Sequence, residues 1–366
     1  MKVLILANIG MGLYKFRKEL IDELIKEKHD IYISLPKDEY VEKLQEIGCK
    51  FIDTPLERRG TNPLKDLKLL LNYIKILKQI NPDIVLSYTI KPNIYGGIAS
   101  TIIKTPYIVN ITGLGTSIEN GGIIQKITLM LYKIAVKNAS CVFFQNKSNQ
   151  QFFLEKGIIK GNYRLIPGSG VNLDKHKFED YPEEKNKIRF LFIGRIMKAK
   201  GIEELLKATE IIKEKYPDVQ FDIIGPIEED YEQKLKDLNT KGIINYLGRQ
   251  DDVHSFIKKS HATILPSYHE GLSNVLLESA STGRPVLASR VPGCMETFDE
   301  GISGYGFEAR NVDSLVKTII KFINLPYEQK IRMGINGRRK IEKEFDRKIV
   351  IDAYLEEINK TVNKEK

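Results

Sequence analysis

Short, continuous apolar runs alternate with amphipathic helical segments along most of the chain, and this alternation limits the possible folds more than any other feature. Residues 3–7 and 190–193, for example, are apolar throughout and do not alternate with polar residues. A strand of this kind is buried on both faces, which requires a parallel sheet with helices packed on each side. The sequence therefore predicts an α/β fold of the doubly wound, Rossmann-like type.

The predicted elements form two successive series, and the length of 366 residues also favours two domains. In the first series, predicted strands cover residues 3–7, 31–35, 51–52, 84–87, 107–110 and 141–144, and predicted helices cover 13–28, 39–47, 64–80, 94–103, 123–137 and 150–156. In the second, predicted strands cover 190–193, 221–224, 243–247, 262–265 and 286–288, with a helix at 272–281. A polar, loop-like stretch at 171–186 joins them, so we expect a ligand between the two halves, at the carboxyl ends of the strands.

Several classes of protein are disfavoured by simple patterns. No apolar run is long enough to span a membrane, and the apolar start of the chain is better explained by a strand followed by a loop and a helix than by a signal peptide. The three cysteines, Cys49, Cys141 and Cys294, are too far apart for a metal motif or a disulfide framework. These features predict a protein of the reducing cytoplasm.

Positive charge is concentrated in the first half of the chain. Residues 1–170 contain 24 Lys and Arg against 15 Asp and Glu, whereas residues 171–366 contain 33 of each. The whole net charge of +9 therefore belongs to the first half. A one-sided basic surface indicates an anionic partner, such as nucleic acid, an anionic membrane or a phosphorylated substrate, although a lysine-rich surface that only confers solubility is the alternative.

Two glutamates lie near the start of the predicted helix at 272–281, which follows a predicted strand. Glu270 lies in the turn, and Glu278 follows eight residues later. The N-terminus of a helix after a parallel strand presents free N–H groups to a ligand, usually a phosphate, and the carboxylates could then bind hydroxyl groups of the same ligand. The alternative is structural, with Glu270 as a helix cap and Glu278 as a solvated helix residue.

This segment, Glu270-GLSNVLL-Glu278 followed by Gly283-Arg284-Pro285-Val286, resembles the Glu-x7-Glu signature of the retaining glycosyltransferases of family 4. The resemblance implies a GT-B fold, in which two Rossmann-like domains face each other across a cleft. It also implies that Glu270 contacts the donor sugar and that Glu278 binds the nucleotide ribose. The domains would be residues 1–170 and 171–345, with a last helix at 346–366 packing back on the first domain.

Two cations follow the first strand of the second series. Arg195 comes directly after Gly194, and Lys200 precedes Gly201 five residues further on. Cations at a strand end suit a diphosphate, because an arginine binds as a planar fork and a lysine as a point charge; a pair of surface cations is the alternative. The pair also matches the Gly-Arg…Lys-Gly motif of the family, in which it stabilises the departing nucleotide. Catalytic roles for Arg195, Lys200 and Glu270 follow from the resemblance, with no metal and no cofactor.

Further donor-binding candidates are glycines at strand ends and residues around Glu270. They are Gly12, Gly194, Gly225, Gly248, Ser267, His269, Gly271, Leu272 and Ser273, with Gly293 in a later turn. Glycines at such turns let the backbone approach a diphosphate, although a tight turn alone also explains them. The Gly10-Met11-Gly12 turn lacks the third glycine of a dinucleotide fingerprint, so NAD is not predicted.

The acceptor side is expected in the first half. The segments Ser87–Gly97 and Asn110–Gly115 resemble a bacterial subgroup of the family that extends lipid-linked sugars, among them N-acetylgalactosaminyltransferases. Candidate residues there are Tyr14, Arg17, Lys91, Asn110, Thr112 and Gly113. Many family members carry a histidine in the second segment, whereas this chain has none between His29 and His176, so Asn110 or Thr112 could take its place. For Tyr14 and Arg17, surface charge without a ligand is the alternative.

Two predicted helices combine lysines with apolar residues. One pattern runs from Arg58 and Arg59 through Lys65, Lys68, Lys75 and Lys78, and the other contains Lys126, Lys133 and Lys137. Both could rest on an anionic bilayer that holds a polyprenyl-diphosphate acceptor, although ordinary core-facing helices with solvated lysines are the alternative.

The expectation is therefore a GT-B transferase that moves a sugar, N-acetylgalactosamine or another hexose or HexNAc, from a UDP-sugar to a polyprenyl-diphosphate-linked saccharide with retention. It would act in the cytoplasm on the inner face of the membrane, without nucleic acid. A GT-B nucleotide-sugar epimerase is a second reading, but it needs acid and base groups that the first half, with no histidine after His29, does not offer. A basic nucleic-acid-binding module is a third, and it would leave Glu270 and Lys200 without a role.

Overall fold

A computed structural model describes residues 1–57, 62–114, 118, 121–183 and 187–363. The chain divides into two compact units. Unit 1 consists of residues 1–169 and 348–366, and unit 2 of residues 170–347. Arg58, Arg59 and Gly115, which belong to patterns discussed above, lie outside the described residues.

Unit 1 contains a seven-stranded parallel sheet with the order β3-β2-β1-β4-β5-β6-β7. The strands are β1 Lys2–Leu6, β2 Asp30–Leu35, β3 Lys50–Asp53, β4 Ile84–Tyr88, β5 Tyr107–Ile111, β6 Cys141–Phe144 and β7 Tyr163–Leu165. Strands β1, β4, β5 and β6 are almost fully buried, as their continuous apolar sequences predict. Strand β7 was not predicted, because this edge strand has no buried residue and therefore no apolar run.

The helices of unit 1 pack on both faces of this sheet. They are α1 Gly10–Phe16, α2 Lys18–Lys26, α3 Val41–Glu46, α4 Pro63–Ile80, α5 Gly97–Ile103, α6 Gly122–Ala135 and α7 Lys147–Glu155, with a π-helical turn Pro92–Gly96 before α5. The single helix predicted at 13–28 is wrong, because the backbone leaves the helical region at Arg17 (φ −133°) and two helices result.

The last helix of the chain, α14 (Arg347–Asn363), completes the core of unit 1. Tyr354 is buried and packs against Phe143 of β6, with ring centroids 4.6 Å apart. Its hydroxyl accepts a hydrogen bond of 2.5 Å from Nδ2 of Asn110 at the end of β5. Residues from opposite ends of the chain thus share one hydrophobic core.

Unit 2 contains a six-stranded parallel sheet with the order β10-β9-β8-β11-β12-β13. Its strands are β8 Arg189–Ile193, β9 Gln220–Ile224, β10 Asn245–Tyr246, β11 Ala262–Leu265, β12 Val286–Ser289 and β13 Gly304–Phe307. In chain order this is the 3-2-1-4-5-6 arrangement of a dinucleotide-type fold, and the direction of winding reverses between β8 and β11. The two parallel sheets confirm the predicted fold class.

The helices of unit 2 are α8 Ile202–Lys215, α9 Glu232–Thr240, α10 His254–Lys259, α11 Asn274–Ser281, α12 Val312–Ile323 and α13 Tyr327–Glu344. Helix α11 begins two residues later than the predicted Leu272. Its N-cap is Ser273, whose Oγ accepts a hydrogen bond from the backbone N–H of Leu276. The four residues before Asn274 are therefore not part of the helix, and Glu270 lies in the loop between β11 and α11, as the sequence predicts.

The predicted join at 171–186 is attached to unit 2 along its described part. The guanidinium of Arg284, which is fully buried, donates hydrogen bonds to the backbone carbonyls of Glu179 (2.9 Å) and Asp180 (2.7 Å), as well as to others. Burial lowers the pKa of Arg284 to about 10, and the carbonyl oxygens compensate its charge. The stretch up to residue 183 is thus part of the packed structure of unit 2.

None of the helices formed by the described residues combines the length and the hydrophobicity needed to cross a bilayer. The three cysteines are buried free thiols.

Candidate functional site

The loops that follow β8 and β11 lie against each other at the point where the winding of the second sheet reverses. Gly201 has a left-handed backbone (φ +69°), and a Cβ placed on it would lie 2.0 Å from the carbonyl oxygen of Pro266. The backbone N–H of Tyr268 donates to the carbonyl of Ala199 at 3.0 Å. Only glycine permits both the conformation and the contact, so the Lys-Gly sequence fixes one loop against the other.

Glu270 lies in the loop after β11, and its side chain contacts the loop after β8. Its Oε1 accepts hydrogen bonds from Nζ of Lys200 and from Oγ of Ser267, the latter at 2.7 Å. Ser267 is fully buried, whereas the side chains of Glu270 and Lys200 remain 14% and 19% exposed. Glu270 is therefore not the cap of α11, a role that Ser273 fills. A partly exposed carboxylate and ammonium at the carboxyl ends of two central strands can both reach a polar ligand.

The turn around Gly293 packs against the backbone of Glu270. A Cβ on Gly293 (φ +81°) would lie 2.4 Å from the carbonyl oxygen of Glu270, and its own carbonyl accepts from the N–H of Ser273 at 2.8 Å. Cys294 follows and is completely buried. Burial, with a further contribution from the charge of Glu270, raises the pKa of the Cys294 thiol well above its usual range. The carboxylate of Glu270 thus has a neutral thiol nearby.

Glu278 lies one turn from the end of α11 and is next to a buried histidine. Nε2 of His176 is 3.8 Å from Oε1 of Glu278, and His176 is only 3% exposed. Burial, followed by the charge of Lys175, lowers the pKa of His176 to about 3. The imidazole is therefore neutral, so this contact is not an ion pair.

Arg195 directly follows β8, in the same loop as Lys200, and contacts the loop after β9. Its Nη1 donates to Oε2 of Glu228 at 2.9 Å, and 40% of the arginine side chain is exposed. Gly225 (φ +150°) lies so close that a Cβ on it would be 1.7 Å from the carbonyl oxygen of Gly194. Packing thus explains Gly225, whereas Gly248 (φ +66°) has no atom within 4 Å of its Cβ position and is explained by its turn alone.

The remaining donor-binding predictions fall into two groups. Leu272 and Ser273 are 6% and 3% exposed, and their side chains serve the core and the cap of α11, so only their backbone could meet a ligand. His269 and Gly271 lie in the partly exposed loop on either side of Glu270. The structure thus groups Glu270, Lys200 and Ser267, with Arg195 at the start of the loop that contains Lys200.

In unit 1 the predicted Gly12 lies in the first turn of α1, the helix that follows β1. A Cβ on Gly12 would meet only an ordinary contact at 3.5 Å, from Ile9. Gly10 is the crowded position, because its N–H donates to Oδ2 of Asp38 at 2.6 Å and a Cβ there would lie 2.4 Å from Oδ1. Asp38 thus caps the N-terminus of α1 from 28 positions away, a contact that no local pattern in the sequence predicts.

The acceptor-side candidates have different environments. Arg17 is 4% exposed, with its guanidinium 5.0 Å from the ring centroid of Tyr88, so the alternative of a solvated surface charge is wrong. Asn110 is 1% exposed; its Nδ2 donates a hydrogen bond to the hydroxyl of Tyr354, and its Oδ1 accepts one from Nε2 of Gln145. Tyr14, Thr112 and Gly113 are partly exposed.

Lys91 is next to a groove of about 730 Å³ between α4 and the loop after β3. Its Nζ binds Oδ1 of Asp66 at 2.7 Å. The groove is mainly apolar, and its lining also contains lysines and carboxylates; it includes Pro55, Leu56, Leu69, Leu71, Lys65, Lys68, Lys75, Asp53, Glu57 and Asp66. Lys65 is paired with Glu57, as Lys91 is with Asp66, so part of the positive charge around the groove is already compensated.

Sequence reasoning missed three residues that shape these sites. His176 lies in the stretch predicted as a polar join, Asp38 belongs to no motif, and Arg284 follows the end of the predicted helix at 272–281. Each acts through a partner at least 28 positions away in the chain. Local spacing therefore held no signal for them.

Two parallel Rossmann-like sheets, with a carboxylate and cations at the winding switch of the second, define a glycosyltransferase of the GT-B fold. Residues 2–146 match the family model described as glycosyl transferase 4-like, and residues 174–340 match glycosyl transferases group 1. The chain therefore belongs to the group 1, family-4-like glycosyltransferases. Among the described residues, no three His, Cys, Asp or Glu side chains come together as a potential metal site.

Similar proteins extend along nearly the whole chain. An N,N'-diacetylbacillosaminyl-diphospho-undecaprenol alpha-1,3-N-acetylgalactosaminyltransferase of Campylobacter jejuni is 27% identical, covering 97% of each chain. A UDP-Gal:alpha-D-GlcNAc-diphosphoundecaprenol alpha-1,3-galactosyltransferase of Escherichia coli is 26% identical, over 78% of this chain and 80% of its own. The crystal structure of Anabaena Alr3699/HepE in complex with UDP and glucose has a TM-score of 0.79 at 19% identity, covering 98% of this chain and all of its own.

Proposed function

We propose that this glycosyltransferase moves a sugar from a UDP-sugar to a polyprenyl-diphosphate-linked saccharide, with retention of anomeric configuration. The observation that carries the proposal is the group formed by Glu270, Lys200 and Ser267 at the winding switch of unit 2. Parallel sheets bind nucleotides at such a switch, outside the carboxyl ends of the strands. One carboxylate and one ammonium at that point provide a hydroxyl-binding group and a phosphate-binding group side by side.

The donor diphosphate would bind Lys200 and Arg195. Both cations are already paired with carboxylates, Lys200 with Glu270 and Arg195 with Glu228, so a diphosphate would exchange one anionic partner for another. Glu270 would then be free to position the sugar. Glu278, whose histidine neighbour is neutral, would accept hydrogen bonds from the ribose hydroxyls.

The reaction would be a front-face displacement. A hydroxyl oxygen of the acceptor forms a bond to the anomeric carbon while the bond from that carbon to the β-phosphate oxygen breaks. The hydroxyl proton passes to the departing phosphate oxygen, and Lys200 and Arg195 stabilise the negative charge that remains on UDP. The attacking and leaving groups share one face of the sugar, so the configuration is retained.

The transferred sugar is proposed to be N-acetylgalactosamine or another hexose or N-acetylhexosamine. Both relatives named above make alpha linkages to saccharides on diphospho-undecaprenol, and one of them transfers N-acetylgalactosamine. UDP-hexoses such as UDP-galactose are themselves alpha-linked, so alpha products are consistent with retention. The product would belong to the assembly of a surface glycan.

The acceptor is proposed to bind unit 1. The net charge of +9 resides in residues 1–170, and the groove next to Lys91 offers apolar walls and four lysines, of which Lys65 and Lys91 are paired with carboxylates that a diphosphate would replace. A lipid-linked diphosphate on the cytoplasmic, inner face of an anionic membrane fits that charge. We therefore propose peripheral association with that membrane. No cofactor or metal ion is proposed, and Lys200 and Arg195 would provide the positive charge that a metal supplies elsewhere.

The test is UDP release from a panel of UDP-sugars, with and without a polyprenyl-diphosphate-linked saccharide, in the presence of EDTA. We expect release from one donor that depends on the acceptor, with an alpha-linked product by NMR. The Lys200→Ala variant should bind UDP more weakly in calorimetry. Inversion of configuration, or loss of all activity in EDTA with recovery on adding Mg²⁺, would contradict the mechanism.

Two outcomes would favour the alternative functions. Conversion of a UDP-sugar into its epimer, without UDP release, would indicate an epimerase. Tight, salt-sensitive binding of nucleic acid in a protein that binds no UDP would indicate a basic binding module. Either result would overturn the proposed reaction.

A further inference from the structure

Helix α6 (Gly122–Ala135) presents an apolar face to solvent. Its exposed apolar side chains are Ile123 (75% exposed), Ile124 (49%), Ile127 (50%), Met130 (59%) and Ile134 (49%). At about 100° per residue, Ile123, Ile127, Met130 and Ile134 fall within roughly 60° of one another around the helix axis. The opposite face is buried in the core of unit 1 through Thr128, Tyr132 and Ala135. The helix is therefore apolar on the side that faces away from its own protein.

Lysines line one flank of this apolar face. Lys126 and Lys133 are exposed, and both follow the stripe along the same side of the helix. Residues 121–139 contain no Asp or Glu at all. Apolar residues with lysines alongside are typical of helices that lie in the interfacial region of an anionic bilayer.

Exposed apolar residues also lie on two neighbouring helices. Helix α5 packs against both α4 and α6, and Ile102 on it is 56% exposed. On α4, Leu64, Leu67 and Leu71 are 78%, 52% and 58% exposed, with lysines between them, and Leu71 also lines the groove next to Lys91. A concentration of exposed apolar side chains of this kind marks a binding surface for a protein or a membrane.

The chemistry of the face favours a bilayer over a protein. Protein interfaces are enriched in Tyr, Trp, Phe, Met and Arg and depleted in Lys, whereas this face, apart from Met130, consists of Ile and Leu with Lys. The lysines also have a complementary partner in anionic lipid headgroups, which attract basic residues within about a Debye length of the surface.

We propose that the apolar face of α6 inserts into the interfacial region of an anionic bilayer, with α5 and α4 resting on the same surface. The inference rests on the proposed function in one respect, since an acceptor anchored in the membrane gives the docking its purpose. It adds that the contact is an apolar insertion at named residues and not only attraction between charges. The protein would therefore stay bound at salt concentrations that release a purely electrostatic contact.

The chain has no tryptophan, so a single introduced tryptophan reports on one position. The test compares Ile127→Trp on α6 with Ile211→Trp on α8 of unit 2, where Ile211 is also exposed, at 44%. Each full-length variant is mixed with vesicles of phosphatidylcholine and phosphatidylglycerol, some of which contain bromine-labelled phosphatidylcholine. We expect a blue-shifted emission and quenching by brominated lipid for Ile127→Trp, and neither for Ile211→Trp.

A second pair of variants measures the contribution to affinity. The double variant Ile124→Gln/Ile127→Gln should weaken vesicle binding by about tenfold or more, because two apolar side chains no longer leave water. Lys126→Gln should weaken it by about fivefold, the effect of one basic residue near an anionic surface. Circular dichroism melts should be unchanged, since both sites are solvent-exposed.

Transfer to a water-soluble, short-chain prenyl-diphosphate saccharide separates this inference from the proposed function. The Ile124→Gln/Ile127→Gln variant should retain that activity while losing activity on vesicle-bound acceptor. Failure of the unsubstituted protein to transfer any sugar, with lipid quenching at residue 127 as expected, would overturn the function and leave the docking face intact. Vesicle binding without quenching at residue 127, or no binding to anionic vesicles at all, would overturn the docking face.

Discussion

Nζ of Lys200 and Oε1 of Glu270 form a hydrogen-bonded ion pair between the loops after β8 and β11, although the two residues are 70 positions apart in the chain. Neither side chain is fully buried, so a ligand can reach both. The pair holds a cation and a carboxylate at the winding switch without leaving either charge uncompensated. Substituting either residue therefore removes one charge from the site and leaves the other without this partner.

Replacing Glu270 with glutamine should lower the transfer rate by about a hundredfold or more, because the group that positions the sugar loses its charge and its pairing with Lys200. The free energy of unfolding should change by less than about 1 kcal/mol, since the pair is partly exposed. Transfer assays and thermal melts measure the two effects. Glu214→Gln, on the exposed side of α8, is the control and should change neither. A fully active Glu270→Gln enzyme would overturn the site assignment.

Gly201 and Gly242 have nearly the same backbone φ, +69° and +67°, but different surroundings. A Cβ on Gly201 would clash with the carbonyl of Pro266, whereas nothing lies within 4 Å of that position on Gly242. Gly242→Ala should therefore cost about 1 kcal/mol of stability from backbone strain alone. Gly201→Ala should cost about 3 kcal/mol or more and also reduce transfer, because it pushes the loop of Glu270 away from Lys200. Equal melting temperatures for the two variants would contradict this account.

His176 should make the protein less stable in acid. Burial lowers its pKa in the folded state to about 3, below the usual value of 6.5, so the unfolded chain takes up a proton that the folded protein refuses. The stability linked to this group is fully present above pH 6.5 and is lost as the pH falls toward 3. The loss amounts to about 2 kcal/mol at pH 5. The His176→Gln variant should lose less stability than the unsubstituted protein between pH 7 and pH 5 in urea titrations. Because the carboxylates titrate in both proteins, the difference between the two curves isolates the imidazole. Parallel curves would show that His176 is protonated when folded.

The buried hydrogen bond between Asn110 and Tyr354 should contribute to the stability of unit 1. Tyr354→Phe removes the acceptor and leaves the amide of Asn110 with an unsatisfied donor, at a cost of about 1 to 3 kcal/mol. Tyr163→Phe is the matched control, because that side chain is 42% exposed, and its effect should be negligible. Urea unfolding curves for the two variants give the comparison, and equal midpoints would show that water satisfies the amide.

The fold was predictable because buried parallel strands leave a strong trace in the sequence. The continuous apolar runs of β1, β4, β8 and β11 correspond to strands that are buried along most of their length. Elements without an apolar run were missed, such as the edge strand β7 and the glycine-rich β13. Helix ends were also misplaced where a single side chain decides them, as Ser273 does for α11.

The candidate site was predictable only for charged residues that follow the end of a predicted strand within a recognisable motif. Lys200 and Glu270 were identified from motif and spacing, and the structure brings them together. The support behind them was not predictable, because His176, Asp38 and Arg284 act through contacts with distant parts of the chain. For Arg17 the sequence left a ligand contact and a solvated surface charge open, and the structure excludes the second because the guanidinium is buried over the ring of Tyr88.

The return of helix α14 to unit 1 has a consequence for the order in which the protein can fold during synthesis. The ribosome makes residues 1–169 first, but Val350, Ala353, Tyr354 and Ile358, which fill part of that core, emerge only after the whole of unit 2. Unit 2 is continuous in sequence and has all its residues available before that point. The nascent first unit must therefore wait with an open apolar surface for the last helix, and the half that is translated first is completed last.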